Sequence, residues 1–178
     1  MKPEQSDNPW PVPLRLEDVP EMGGHYELSA DEPARQAIAK LGDLRNVTRL
    51  NAVFDVVRRG VGVHVTGQVS ATVGQNCVVT LEPIDNEVSE PIDLEFAPPL
   101  DDEGDTGRRK KSEEPPEPLL GDSIDLGAIA TEFLLLGVDP YPRKPGVEFA
   151  ASAGGEAKAE NPFAALQALK KPSDKDLK

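Results

Sequence analysis

A long alternation of apolar and polar residues between Val61 and Val73 constrains the fold more than any other feature of this sequence. Valine or alanine occupies nearly every second position, and histidine, threonine, glutamine and serine lie between them. Side chains alternate between the two faces of a strand, so the pattern predicts a long strand with one buried face and one wet face. Gly67 falls on the apolar face, where a missing side chain often marks a bulge or a sharp bend. We therefore expect the sheet to curl toward a barrel.

Shorter alternating segments predict the neighbouring strands. Residues 50–56 precede the long strand, and residues 88–96 follow it with Pro91 inside the run, which indicates an edge or bulged strand. Residues 77–81 predict a further strand between them, and two short strands are expected at residues 12–16 and 25–28. The long strand and the segments at residues 77–81 and 88–96 together predict an antiparallel meander.

Two helices are predicted to cover this sheet. Ser29 and Glu32 fit a capping box, so the first helix should span about residues 30–41 and end at Gly42. Asp125 can cap a second, strongly apolar helix that ends at Gly137. The predicted fold class is α+β, with an antiparallel, barrel-like sheet covered by one or two helices.

The predicted organisation is one domain with tails. We expect a disordered N-terminus at residues 1–8, a single α+β domain at residues 9–160, and a tail at residues 161–178 that contains a short helix. Proline, glycine and charge dominate residues 97–118, which cannot bury enough apolar surface to offset their ordering entropy. This stretch is predicted to be a flexible insertion.

The tail contains a candidate interaction site. Asn161 can cap a helix that has Pro162 at its first position, and Phe163, Leu166 and Leu169 then lie on one side. A short amphipathic helix behind a long polar linker is typical of tethered recognition helices. The alternative is that the helix docks on its own domain.

Composition limits the classes of partner. The chain has 32 acidic and 19 basic residues among 178, a formal net charge of -13, which repels a phosphate backbone and favours protein partners over broad RNA binding. A single cysteine cannot form an internal disulfide, and no apolar signal or membrane segment is apparent. These features predict a cytoplasmic protein with no membrane role.

No pattern of catalytic or metal-binding residues emerges from the sequence. Cys77 is interpreted as a small buried hydrophobe, and His25 and His64 as solvated or structural residues, since a zinc site requires paired ligands. Residues 121–125 resemble a nucleophile elbow only superficially, and the charged runs at 101–105 and 108–111 are interpreted as solvated loops. We expect no catalysis, no cofactor, no metal and no small-molecule substrate. The polar strand face with His64 and Gln68 is a candidate interaction surface.

Three segments carry a resemblance to a known family. The run from Gln75 to Ile84 with Cys77, the apolar helix at residues 124–136 and the closing Asn161-Pro162-Phe163 segment resemble the YceD family. The resemblance implies a role in accumulation of large-subunit ribosomal RNA, with no known catalysis. Many relatives have a C-x2-C pair that resembles a zinc site, but here Gly74 is taken to occupy the first cysteine position and residues 139–146 contain no cysteine. Metal binding is therefore not expected, and Cys77 is a family marker.

Three functional hypotheses follow. The favoured one is a non-catalytic factor for ribosomal RNA maturation or large-subunit assembly that acts through protein contacts or a narrow RNA contact. The second is a metal-dependent hydrolase or nuclease that uses converging carboxylates. The third is a dedicated binding partner of one ribosomal or RNA-processing protein.

Overall fold

The computed structural model of the chain describes residues 8–99 and 116–147. Its elements, in chain order, are β1 (Pro13–Arg15), β2 (Gly24–Ser29), α1 (Glu32–Leu41), β3 (Asn46–Arg59), β4 (Gly62–Asn76), β5 (Pro83–Ala97), β6 (Glu117–Pro118), β7 (Ser123–Asp125) and α2 (Leu126–Gly137). Most of the predicted N-terminal segment, most of the predicted insertion and the whole predicted tail helix lie outside the described residues.

The main sheet has five strands in the order β2-β3-β4-β5-β6. β2 to β5 form an antiparallel meander in which β4 is followed directly by β5, without the strand predicted at residues 77–81, and β6 adds a short parallel pairing with the end of β5. The expectation of a barrel is wrong, because β2 and β6 are separate edges of an open sheet and β6 is only 2 residues long. β1 and β7 form a separate two-stranded sheet.

Gly67 lies in a regular part of β4 rather than at a bulge. Its pairing with Phe54 and Ile92 is continuous with that of its neighbours, and the irregularity in this sheet lies instead between Val47 and Arg49. A side chain at position 67 would collide with the backbone oxygen of Val53. Glycine is therefore needed here for the close approach of two strands, not for an extra residue in the ladder.

Both helices pack on the same face of the sheet. α1 lies against β3, and α2 lies against β4 and β5. The largest fully buried side chains come from these elements and are Phe54, Leu50, Val56, Val63, Val65, Val69 and Val73 of the sheet, Ile38 of α1, and Leu126 and Leu134 of α2. Burial of each such side chain contributes about 1.5–3 kcal/mol, so this one-sided core accounts for the strict alternation in β4.

The N-terminal caps of the helices differ in how well the sequence predicted them. Asp125 caps α2 as predicted, and its side chain accepts hydrogen bonds from the amides of Gly127 and Ala128. The capping box at Ser29 is wrong, because Ser29 is the last residue of β2 and pairs with Asn51. Asp31 caps α1 instead and accepts from the amide of Ala34 at 2.9 Å.

Residues 77–81 form a turn, so the strand predicted there is also wrong. The Leu81 amide donates to the Cys77 carbonyl at 2.8 Å, and the Cys77 amide donates to the Glu82 carbonyl at 2.9 Å. These bonds reverse the chain within six residues and join β4 to β5. Both ends of the predicted insertion belong to strands, because Ala97 is the last residue of β5 and Glu117 is the first residue of β6.

In residues 8–99 and 116–147, no helix has both the length and the apolar character that crossing a bilayer requires.

Candidate interaction surface

One face of the main sheet carries no helix, and we call it the open face. It is formed by alternate residues of four adjacent strands, namely His25 and Glu27 of β2, Arg49, Asn51, Val53, Asp55 and Val57 of β3, His64, Thr66, Gln68, Ser70 and Thr72 of β4, and Glu87, Ser89, Pro91, Asp93 and Glu95 of β5. Val53 and Val57 are 39% and 41% exposed, which is unusual for valine at the middle of a sheet. The surface is therefore open to solvent as far as the described residues extend.

Two histidine–aspartate pairs lie on the open face. His25 Nδ1 is 2.8 Å from Asp55 Oδ1 across β2 and β3, and His64 Nε2 is 2.7 Å from Asp93 Oδ1 across β4 and β5. The strand register places His25, Asp55, Thr66 and Asp93 in a single row across the four strands. Neighbouring strands are about 4.8 Å apart, so these polar groups form one continuous band.

The two predicted residues of this surface lie on the same face of β4, with Thr66 between them. His64 and Gln68 both project from the open face, and the side chain of Gln68 donates to the Ser89 hydroxyl at 3.0 Å. The His64 side chain is 21% exposed, whereas that of its partner Asp93 is 79% exposed. Both predicted residues are thus engaged with β5, and the carboxylate is the more accessible member of the histidine pair.

Neighbouring carboxylates change the pKa of His25, which lies on the edge strand β2. The hydrogen bond and the charge of Asp55 raise the pKa of His25 above its ordinary value, and Glu27 adds to the effect. Both acceptors favour the charged imidazolium because it can donate to them. His25 therefore carries a positive charge to a higher pH than a free histidine does.

The open face is acidic overall. The same alternation adds Asp85 of β5 and Arg59 of β3, so six carboxylates, at Glu27, Asp55, Asp85, Glu87, Asp93 and Glu95, lie on this face with two arginines, Arg49 and Arg59. Arg49 contacts Glu87 at 2.7 Å, and Thr72 donates to the same carboxylate at 2.8 Å. These two contacts hold the pKa of Glu87 below its ordinary value, with the Thr72 hydrogen bond as the larger cause. Glu87 is therefore ionised at neutral pH and contributes to the acidic surface.

Cys77 lies at one end of the sheet, inside the turn between β4 and β5. Its side chain is fully buried, and its sulfur accepts a hydrogen bond from the Lys144 amide at 3.4 Å. The Thr80 side chain also donates to the sulfur and is the main reason that the pKa of Cys77 falls to about 6, whereas burial acts in the opposite direction. The expected inert thiol is buried as predicted, but it is the acceptor of several hydrogen bonds rather than an apolar group.

The residues around Cys77 do not fit a metal site. Gly74, at the position taken to match the first family cysteine, belongs to the strand ladder, where a side chain would contact that of Asn46. The side chain that contacts the sulfur is that of Thr80. The sulfur is surrounded by N–H and O–H donors instead of further ligands. Within residues 8–99 and 116–147 no group of three or more histidine, cysteine, aspartate and glutamate side chains is placed to hold a metal ion.

The remaining candidates are either structural or outside the described residues. Ser123 lies in β7 and Asp125 caps α2, so the segment at 121–125 is a strand and a helix cap rather than a nucleophile elbow. The tail residues are not described, namely Asn161, Pro162, Phe163, Leu166 and Leu169. Their assignment to an interaction surface stays a prediction.

Sequence reasoning placed Asp55 and Asp93 on the polar faces of their strands but missed their pairing with histidines. The missing information was the register, which aligns Asp55 with His25 and sets Asp93 diagonally across from His64. Lys144 was missed because its contact with Cys77 depends on the path of the chain after α2, which no local pattern indicates, and Thr80 was missed because residues 77–81 were predicted to be a strand.

Comparison with known families gives one match. A family model described as "Large ribosomal RNA subunit accumulation protein YceD" matches residues 65–170, which is more than half of the chain. Comparison with curated proteins and with solved structures gives no match. The matched range begins inside β4 and includes the Cys77 turn, β5 and α2. This chain therefore belongs to the YceD family.

Proposed function

We propose that this protein supports the accumulation of large-subunit ribosomal RNA in the cytoplasm as a non-catalytic binding protein. The family match over residues 65–170 is the observation that carries this proposal. The matched range includes most of β4 and all of β5, which supply the central part of the open face.

The geometry of the open face supports a binding role. A broad, solvent-exposed sheet surface with polar groups on four strands suits contact with a macromolecule better than enclosure of a small substrate. The paired side chains hold one another in place, so less side-chain freedom is lost when a partner binds. Net charge favours protein contacts over contacts along an RNA backbone.

A complementation experiment tests the function and this surface together. Cells that lack the gene should contain less large-subunit ribosomal RNA and more of its precursor, and the wild-type gene should restore both levels. The double variant His64→Ala and Gln68→Ala should fail to restore them, because it removes two side chains from the centre of the open face. The readout is northern blotting of precursor and mature species.

Matched variants keep this experiment specific. Gln36→Ala with Lys40→Ala removes an equal number of exposed polar side chains from α1, on the other side of the sheet, and should complement fully. A gene that ends before Asn161 tests the predicted tail helix in the same assay. Normal ribosomal RNA in cells without the gene would contradict the proposed function.

A dedicated protein partner is the alternative form of the same function. Affinity purification from growing cells, with and without ribonuclease treatment, separates a direct protein contact from one that depends on RNA. A partner that is retained after ribonuclease treatment favours the dedicated-partner form.

A further inference from the structure

The charged residues of the open face have a distribution that the proposed function does not explain. Between His64 and Thr72, the central strand β4 presents no acidic or basic residue other than His64 itself. Beside the part of β4 from His64 to Gln68, acidic residues lie on both sides, with Glu27 and Asp55 on one side and Asp93 and Glu95 on the other, whereas Arg49 and Arg59 lie toward the two ends of β3. Around Thr66 and Gln68 the face therefore has a largely uncharged floor, and we call Glu27 and Asp55 on one side and Asp93 and Glu95 on the other its two acidic borders.

The dimensions of this pattern suit an extended chain. Asp55 and Asp93 are both aligned with Thr66, one on each side, so two interstrand spacings, about 10 Å, separate their backbones. β4 is 15 residues long, which corresponds to about 50 Å. A polypeptide that runs along β4 could direct side chains to both borders at once.

The carboxylates of the borders are available to a partner. The side chains of Glu27, Asp55 and Asp93 are between 63% and 79% exposed, although each has a histidine neighbour on the face. Exposed ion pairs contribute little and are readily exchanged, so an incoming lysine or arginine can replace a histidine or share a carboxylate with it. The half-exposed Val53 lies on the same surface and can pack against the aliphatic part of such a side chain.

We propose that the open face binds a lysine- and arginine-rich segment of a protein partner, held between the two acidic borders of β4. Charge complementarity selects this occupant, because the same borders, in a chain of net charge -13, repel the phosphates of a nucleic acid. The inference rests on the proposed function in that it assigns partner chemistry to the same surface.

Titration of the purified full-length protein with a synthetic peptide of alternating lysine and serine tests the inference. The variant E27Q/D55N/D93N/E95Q removes four charges from the borders and should weaken peptide binding by about tenfold or more, measured by fluorescence anisotropy at physiological ionic strength. The control variant E32Q/E117Q/D122N/E132Q removes four exposed charges from the two helices, β6 and the loop before β7, and should bind within about twofold of the wild type. Circular dichroism establishes that each variant is folded.

Two outcomes would overturn the inference. Equal weakening by the border and control variants would mean that net charge alone attracts the peptide. Tighter binding of a single-stranded RNA oligonucleotide than of the peptide would mean that the partner is a nucleic acid. NMR of the wild-type protein gives an independent test that needs no variant, because peptide addition should shift amide signals of β4 and β5 more than those of α1 and α2, and the reverse pattern would contradict the proposal.

The same border variant separates this inference from the proposed function. If cells without the gene have normal ribosomal RNA, the proposed function fails whatever the peptide does. If the border variant binds peptide normally yet does not complement, the open face matters for ribosomal RNA but its partner is not a cationic segment.

Discussion

At the scale of single residues, hydrogen bonds to Cys77 give this protein a pH-dependent element of stability. The Thr80 hydroxyl and the Lys144 amide both donate to the sulfur and so favour the thiolate. The same contacts connect the turn after β4 to the segment after α2. Cys77 is thus a structural acceptor that joins two regions distant in sequence.

The direction of the pH effect follows from linkage. Folding lowers the pKa of Cys77 from 9.0 to about 6, so between these values the unfolded chain binds the proton and the folded chain does not. This contribution to stability therefore rises with pH across that window, is complete above the unfolded pKa, and is lost as the pH falls through about 6.

Replacement of the thiol should remove this dependence. We expect Cys77→Ser to show a shallower rise of unfolding free energy between pH 6 and pH 9 than the wild type, because serine does not titrate there. Urea denaturation across this range measures it, and direct titration of the thiolate absorbance gives the folded pKa. The comparison uses slopes, since the substitution also changes packing. Identical slopes for both proteins would contradict the prediction.

At the scale of elements, one side chain fastens the start of α2 to the N-terminal segment. Asp125 Oδ1 accepts from the Gly127 and Ala128 amides at 3.0 Å and from the Val12 amide at 2.9 Å. Gly127 lies so close to the Trp10 carbonyl that any side chain there would collide with it. The sequence predicted this cap from a local pattern, but its contact with Val12, just before β1, is a tertiary feature.

Loss of this cap should therefore cost more than an ordinary helix cap. Asp125→Ala should lower the free energy of unfolding by about 1–3 kcal/mol, because it leaves helix amides unpaired and also removes the acceptor of the Val12 amide. Asp122→Ala is the matched control, since its exposed side chain has no hydrogen bond among the described residues, and it should change stability by less than about 0.5 kcal/mol. Urea denaturation of both variants measures the difference, and equal effects would count against the prediction.

The strand predictions were accurate where the alternation of apolar and polar residues along one segment reflected its burial, and inaccurate where contacts with distant residues shaped the chain. β4 was predicted well because it has one buried and one wet face, which produces a strict period of two, whereas β5 begins at Pro83, ahead of the predicted residues 88–96. Residues 77–81 were predicted to be a strand because their apolar side chains are typical of one, but their hydrogen bonds form a turn. The Val78 amide donates to Pro142, which lies more than sixty residues away, and Leu81 has a positive φ of 61° that a strand would not allow.

At the scale of the whole molecule, net charge is the property with the broadest consequences. The chain has a formal net charge of -13, and the described residues contain six ion pairs, three of which involve a histidine and depend on its protonation. Exposed pairs each contribute about 0–1 kcal/mol, so repulsion among unpaired carboxylates should exceed their combined attraction.

Salt should consequently stabilise the folded protein. We expect the thermal unfolding midpoint at neutral pH to rise when sodium chloride increases from low to physiological concentration, because screening weakens the net repulsion. The same measurement near the isoelectric point is the control, where net repulsion is absent and the rise should disappear. A midpoint that falls with salt at neutral pH would show that attractive pairs dominate.

The sequence by itself determined the features that depend on local periodicity and charge. The alternation in β4, the apolar stripe of α2, the cap at Asp125 and the acidic composition were all readable, because burial of one face imposes a fixed period and charge is additive. Only the tertiary structure decided that the sheet stays open, that Asp31 caps α1, and that His25 and His64 each meet an aspartate. Those outcomes depend on strand register and on contacts between residues far apart in sequence, which no local pattern records.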